Sequence, residues 1–499
     1  MLKQRLRQPL PLLCALFLTA LLVVSLYTVH GGTDVRDLGF YKFGGDSTSA
    51  EADSTIDPSA AESGAPSSDD RTFASLESVF QDAKASDAQS QPGEAGYGGA
   101  VYDTTYDLGL GFDSEDTPEY REIFSYSTRD RRFIPLFAEG VGLLNPNLIP
   151  HPTKSDMWIL IARREMSHRL HDTEEEVVCA AGFFEDVLVC EGKPQAMAIN
   201  TTVLGQCDGQ MARVNEHFGP RDMRVFHGPN APYVVYGSQS QFTCFGVWLQ
   251  DARMLLDAFH MDSALSKLFV QPTELRRPGR WKAIEKNFFI FWDKDDKMYV
   301  HNDLWPQRSF AKLEMDGSVG EDLAPAVAYE DQVCYAKYMP HVAAQQEWLQ
   351  QATNALAITL CKREDPGCVP SDSNTFNMHI FHVKSNYAEH RIYEPYVMLF
   401  QRTAPFAIHA ISQQPLWVSG REMLTVESGS VQYEGKTESD IPEGHTERFY
   451  MTSVSWRTHG QRYHGYIDDV LFLGFGIEDS RAGAIDVLAG DILQDLAYC

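Results

Sequence analysis

Apolar residues in this chain come in short runs, mostly four to eight long, broken by Gly, Pro, Asn and Asp from about Tyr102 to Cys499. Met157–Ala162, Tyr233–Tyr236, Phe288–Trp292, Met298–Val300, Tyr396–Phe400, Phe406–Ile411 and Val470–Leu473 have the length and aromatic content of strands. His341–Lys362 reads differently: Val342, Trp348, Leu349, Ala352, Leu356 and Ile358 recur near helical spacing and predict a helix. One helix among many strands predicts an all-β fold.

A coarse repeat runs through these strands, in which a polar residue opens an apolar strand and a second strand follows. The openings are Asn145-Pro146-Asn147, Arg221-Asp222-Met223-Arg224, Glu285-Lys286-Asn287-Phe288, a fourth around His379 to Glu394, and Met451 to Trp456. Asn145 to Asp222 is 77 residues and Asp222 to Asn287 is 65; Asn287 to Ser453 is 166, two spans of 83 around the fourth opening. Four-stranded units repeated radially are how a β-propeller protects its sheet edges. Five openings therefore predict a five-bladed β-propeller over 102–499, with a β-sandwich carrying a helical insertion as the competing architecture. In a propeller the innermost strand of each blade lines the axis. Asn145, Asp222, Arg224, Lys286, Asn287, Glu394 and Asp479 would then meet in one funnel, suited to sugars because it offers fixed hydrogen-bond partners and carboxylates.

The N-terminus has another pattern. Lys3, Arg5 and Arg7 precede Leu10–Val29, a stretch without a charged residue. At about 1.5 Å per residue it crosses the roughly 30 Å of a bilayer core. The basic flank predicts a cytosolic tail over 1–8 and a single-pass signal anchor over 9–29, with everything beyond in the lumen. A cleaved signal peptide is the alternative, but it would have a shorter apolar region and a better cleavage site than Ser25 to Val29. From about Asp46 to Gly99 the chain is Ser, Asp, Ala, Glu and Gly with few large apolar residues, so 30–101 reads as a disordered, flexible stem. This is the layout of a type II Golgi or ER membrane protein with a lumenal C-terminal domain.

Composition narrows the partners. Asp and Glu outnumber Lys and Arg by 69 to 42, a net charge of −27 that disfavours nucleic acid. Mean hydropathy of −0.29 excludes a protein with many membrane spans. Of nine cysteines, Cys14 lies in the predicted span and eight follow it, an even number that suits disulfides in an oxidising compartment. Cys179 with Cys190, and Cys361 with Cys368, have plausible local geometry. No Cys-x-x-Cys is present to favour zinc. Asn200-Thr201-Thr202 is a glycosylation sequon.

Taken together, several motifs resemble a family. Asn145-Pro146 with Arg163-Arg164 after the next strand, Asp222-Met223-Arg224 before Tyr233–Tyr236, Glu285 to Phe288, and Gly474 to Asp479 look like the blade motifs of five-bladed β-mannoside phosphorylases and related β-mannosyltransferases. The membrane layout is similar to fungal Golgi β-1,2-mannosyltransferases. The resemblance covers about Leu143 to Leu496. It implies Asp222 as general acid or base, Arg224 and Lys286 facing an anionic group, and Asn145 and Asn287 holding sugar hydroxyls. The phosphorylases commonly carry Glu-Asp-Pro-Arg in the second blade; Arg221 to Arg224 keeps the Asp and Arg and loses the other two, which puts phosphorolysis in doubt.

On physical grounds Arg221 and Arg224 beside Asp222 favour its ionised form, hence a base or an electrostatic stabiliser. Arg163, Arg164, Arg224, Arg276, Arg277, Arg280 and Lys286 are basic exceptions in an acidic chain and could hold a nucleotide-sugar diphosphate. The His390-Arg391-Ile392-Tyr393-Glu394 run offers an acceptor-binding rim, with Glu394 as a second catalytic carboxylate. Asp293-Lys294-Asp295 after an apolar strand has the form of a divalent-metal motif, yet it reads better as a tight polar turn, and no metal or other cofactor is expected. These readings converge on a secretory-pathway glycosyltransferase whose partners are a nucleotide sugar, mannose being the expected sugar, and a glycan acceptor. A glycoside hydrolase or phosphorylase on the same scaffold, or a carbohydrate-binding propeller without catalysis, are the alternatives.

Overall fold

The computed structural model describes residues 120–499 apart from 166–173, 200–201, 203, 217–218, 260–267, 344–345, 388–389 and 426–444. The expected tail, anchor and stem over 1–101 and the sequon at Asn200 lie outside the described residues. Among the described residues no helix is long and apolar enough to cross a membrane.

Strands dominate, and among the described residues they form five mainly antiparallel blades in chain order, the first and last joined in one nine-stranded sheet. Two early strands, β1 (Arg121–Ile123) and β2 (Ile134–Phe137), wait for partners at the far end of the sequence. Blade one is β3 (Leu143–Pro150), β4 (Met157–Arg164), β5 (Glu176–Phe184) and β6 (Val187–Cys190), with β7 (Gln195–Ala196) on β5. Blade two is β8 (Arg221–His227), β9 (Pro232–Gln239), β10 (Phe245–Asp251) and β11 (Thr273–Leu275). Blade three is β12 (Phe289–Trp292), β13 (Met298–Asp303) and β14 (Ser309–Lys312), followed by the helix α1 (Ala328–Tyr338). In blade four, β15 (Glu347–Gln351) and β16 (Leu356–Thr359) pair in succession with β17 (Thr375–Tyr387), which leads to β18 (His390–Gln401) and β19 (Ile408–Ser412). β20 (Leu416–Val418) pairs with β1. Blade five is β21 (Phe449–Trp456), β23 (Val470–Ile477) and β24 (Arg481–Leu488), while β22 (His464–Tyr466) lies parallel to β16 and β25 (Leu496–Tyr498) pairs with β19. β2 bonds to β24 on one side and β6 on the other, so the first and last blades share a strand.

The inner strands of successive blades are tied by buried side chains. Asn147 on β3 donates to the Met223 carbonyl (3.1 Å) and accepts from the Val225 N–H (2.9 Å) on β8. Asn377 of blade four donates to the Trp292 carbonyl of blade three (3.3 Å). Asn354 donates to the Val454 carbonyl (2.9 Å) and accepts from its N–H (3.2 Å). Ser455 on β21 donates to Leu148 on β3 (2.5 Å), which returns to the first blade. The molecule is a mostly-β domain that resembles a five-bladed β-propeller. Its core fills the gaps between blades: Trp292 packs against Phe226, Tyr233 and Tyr463, and Phe291 against Phe310, Phe400 and Phe406.

Two expectations fail together. His341–Lys362 is not a helix: it holds β15 and β16, the inner strand of blade four. That strand is also the real fourth opening, whereas His379 to Glu394 belongs to β17 and β18 behind it. The apolar residues mimic helical spacing because the strand is interrupted at Ala352 to Ala355 and β16 is buried on both faces between neighbouring blades, so its period of two is lost. The α-helix among the described residues, α1, has only a narrow buried stripe of Asp331, Cys334 and Tyr335.

The eight cysteines beyond the predicted span form four disulfides. Cys179–Cys190 and Cys361–Cys368 are the local pairs expected; Cys207–Cys244 closes the start of blade two, and Cys334–Cys499 fastens the C-terminus to α1. Four disulfides suit a secretory-pathway or extracellular domain.

Candidate functional site at the mouth of the inner strands

β3 and β8 each begin with a bulge. Asn145 and Pro146 together face one residue of β4, and Asp222 and Met223 together face one of β9. Such a bulge turns a side chain out of the strand alternation. The backbone φ is 49° at Asn145, 50° at Asp222 and 59° at Asn287, the left-handed region that Asn and Asp tolerate best after Gly. The three polar openings therefore share one unusual backbone conformation.

Asp222 is surrounded by cations from three blades. Burial pushes its carboxyl up, but Arg224, Arg163, Arg221 and Lys286 outweigh that and hold it below the usual carboxylate range. Arg224 is buried and makes no ion pair among the described residues: Nε donates to the Ala352 carbonyl (2.7 Å), Nη1 to Asp222 (2.8 Å) and Met223 (3.1 Å) carbonyls, and Nη2 to the Tyr450 hydroxyl (3.1 Å). Its charge is thus left to act on Asp222. Arg163 is 3.5 Å from Glu174, which also accepts from Arg221. Despite burial, the Glu174, Asp222, Asp479 and Glu176 charges raise the Arg163 pKa.

Glu176, which faces Arg163 across β4 and β5, went unnoticed in the sequence. It is 3% exposed and its Oε2 has no hydrogen-bond partner. Burial, reinforced by Glu174 and Asp222 against the pull of Arg163 and Arg224, pushes its carboxyl up to about 8. Only the β4–β5 register exposes it, since a Glu174-Glu175-Glu176 run reads as a solvated turn. Asn145 also carries a buried carbonyl oxygen without a partner, packed where Gly476 leaves room: a Cβ there would lie 2.4 Å from it.

Other expected residues are scattered. Arg164 follows Arg163 on the strand, points to the opposite face and pairs with Glu175 (2.7 Å). Lys286 and Asn287 line a cleft beside the mouth with Asn302, Asp303, Trp305 and Gln351. Asp479 is half-exposed, 3.3 Å from Arg448, and near enough to act on Arg163. His390 is fully buried with Nε2 3.2 Å from Glu478, away from an open rim. Glu394 acts on Arg421 and Tyr396, and is not among the main charges on Asp222. Arg276 lies over the Phe242 ring, and Arg277 is bonded to Glu285 and Asp303, so neither adds to the cluster at Asp222. Asp293 accepts from the N–H groups of Asp295 (2.9 Å) and Lys297 (2.8 Å) and from Tyr299 (3.2 Å), which makes the Asp-x-Asp run the tight turn between β12 and β13.

No family model matches the chain, and no curated protein does. Solved structures similar to it include a β-1,2-mannobiose phosphorylase from Listeria innocua (12% identity, 75% of this chain and 98% of that one, TM-score 0.39). A glycosyl hydrolase from Bacteroides ovatus aligns at 11% identity over 74% of this chain and 95% of that one, TM-score 0.40. A GDP-Man-dependent mannosyltransferase from Leishmania mexicana aligns at 10% identity over 71% and 89%, TM-score 0.33. The similarity is distant and concerns the fold.

Proposed function

We propose that this chain is a glycosyltransferase of the secretory pathway, anchored in the Golgi or ER membrane, that moves a sugar from a nucleotide donor to a glycan, mannose being the first candidate. The observation that carries the reading is the ionised Asp222 within reach of Arg163, Arg221, Arg224 and Lys286, in a protein whose net charge is −27. A local excess of cations in an acidic chain suits a diphosphate, and the Arg224 guanidinium, held by neutral carbonyls, would stabilise the charge that develops as it leaves. Asp222 would take the proton of the acceptor hydroxyl or stabilise the cationic sugar.

Glu176 favours a second reading. A protonated carboxyl near an ionised one is the pairing by which glycoside hydrolases and phosphorylases protonate a leaving oxygen. Incubation of the full-length protein with nucleotide sugars, GDP-mannose first, with and without a mannoside acceptor separates the two. The expected result is donor consumption that requires acceptor and falls at least about a hundredfold in Asp222→Asn with an unchanged thermal midpoint. Release of free sugar from a glycan in water assigns the hydrolase instead, and binding without turnover assigns a carbohydrate-binding module.

A further inference from the structure

The cleft beside the mouth, between blades three and four, has a cavity volume of about 60 Å³ and opens to solvent. Its floor is fixed by Gln351, whose Nε2 donates to the carbonyls of Asn287 (2.7 Å) and Asn302 (3.2 Å). Trp305 stands on the rim at 39% exposure, leaning on Tyr335. The Asp303 carboxylate is held by Arg277 and by Lys282 Nζ at 2.6 Å. Asn302 is the anomaly. His301 pairs with Phe310 and Asp303 with Ser309, so Asn302 is the extra residue of a bulge, its side chain turned out of the alternation. It is 2% exposed, yet neither its amide nitrogen nor its amide oxygen has a hydrogen-bond partner. A buried amide with both ends unsatisfied is costly in a folded chain. Here the residue lines an open cleft, and a turn of its side chain would bring the closed-off amide into it.

We propose that this cleft is a binding subsite for an uncharged hexopyranose of the acceptor glycan. The Asn302 amide would accept from one hydroxyl and donate to its neighbour, Asp303 would accept from a third, and the C–H face of the ring would rest on Trp305. An amide that lacks both a donor and an acceptor is matched by a vicinal diol, since each hydroxyl does both. Glu285 and Asp303 on the wall are matched by Lys282 and Lys286, so the lining carries no net charge and suits an uncharged ligand, and a nucleobase would want a second flat apolar face opposite the indole. Lys286 lines the cleft and its charge also acts on Asp222, so a ring bound there and the reacting carboxylate would share one cation. The proposal rests on the reading of the chain as an enzyme acting on glycans.

Isothermal titration of the full-length protein with β-1,2-mannobiose and with methyl hexopyranosides of gluco, galacto and manno configuration tests it. At least one is expected to bind the native chain. Affinity should fall tenfold or more in Asn302→Leu and in Trp305→Ala, which removes a rim residue without opening the core. Asn302→Asp, the same shape without the donor, should also bind more weakly, and reports on the cleft should the leucine variant fail to fold. Binding unchanged in Trp305→Ala and Asn302→Asp overturns the subsite, as does a nucleotide that competes for it. Saccharide binding that depends on Asp222 but not on these two residues overturns the subsite and leaves the glycan-acting enzyme standing. Donor turnover without saccharide binding overturns the subsite alone; absence of both overturns the two together.

Discussion

Asp222 and Glu176 have similar intrinsic acidities and are held in opposite states by what surrounds them. Four cations reach Asp222, while Glu176 is buried deeper, with two carboxylates beside it and no hydrogen bond to its Oε2. The carboxyl of Glu176 is raised from its ordinary value to about 8, so the folded chain keeps a proton that the unfolded chain loses. Its contribution to stability is complete below pH about 4.5 and declines by about 1.4 kcal/mol per pH unit until about pH 8. Glu176→Gln is therefore expected to be about as stable as the native chain at pH 4.5 and more stable at pH 8.5, read as thermal midpoints over that range. Should Glu176 donate a proton in the reaction, the native rate falls above pH about 8, and the Gln variant is slower and lacks that limb. Asp222 could be identified as ionised from its two neighbouring arginines. Glu176 could not be found, because what raises it is burial and a cross-strand register.

Bulges and interblade ties are the working parts at the next scale. The positive φ at Asn145, Asp222 and Asn287 explains why small polar residues that tolerate left-handed backbone open three inner strands. Those openings stood out in the sequence for this reason. The fourth did not, since its inner strand is tied by Thr353 and Asn354 side chains rather than by a polar residue before an apolar run. Asn354 satisfies both the N–H and the C=O of Val454 on the next blade. Asn354→Ala leaves both groups buried and unpaired and is expected to cost roughly 2–4 kcal/mol, measured as a shift in the urea midpoint, and Asn354→Asp is also destabilised, because its carboxylate would be buried facing the Val454 carbonyl. A loss under about 0.5 kcal/mol would mean that the tie between blades four and five is not a structural one.

For the molecule as a whole, buried histidines decide the response to acid. His301, His379 and His382 are almost fully buried; burial lowers all three, His379 to about 3. Their depressed values mean that the unfolded chain binds protons first. Stability is present above pH about 6.5 and is lost as pH falls, by about 1.4 kcal/mol per unit for each histidine. Glu176, Glu274 and Glu285 work in the other direction, while His227, lowered by burial to about 4, adds to the three histidines. The thermal midpoint of the full-length protein is expected to drop steeply between pH 6.5 and 4, and a flat profile there would show that these rings are accessible in the native state.

Strand content, the polar openings of three inner strands, the oxidising environment implied by the cysteines and the ionised Asp222 were determined by the sequence alone, because each depends on nearest neighbours or on short periodicity. The inner strand of blade four, the protonated Glu176, the unsatisfied Asn302 and the dispersal of Arg164, His390 and Glu394 away from Asp222 were decided only by the tertiary structure. Each of these depends on which residues distant in the chain lie across a strand or between blades, and that pairing sets burial, charge and hydrogen bonding at once.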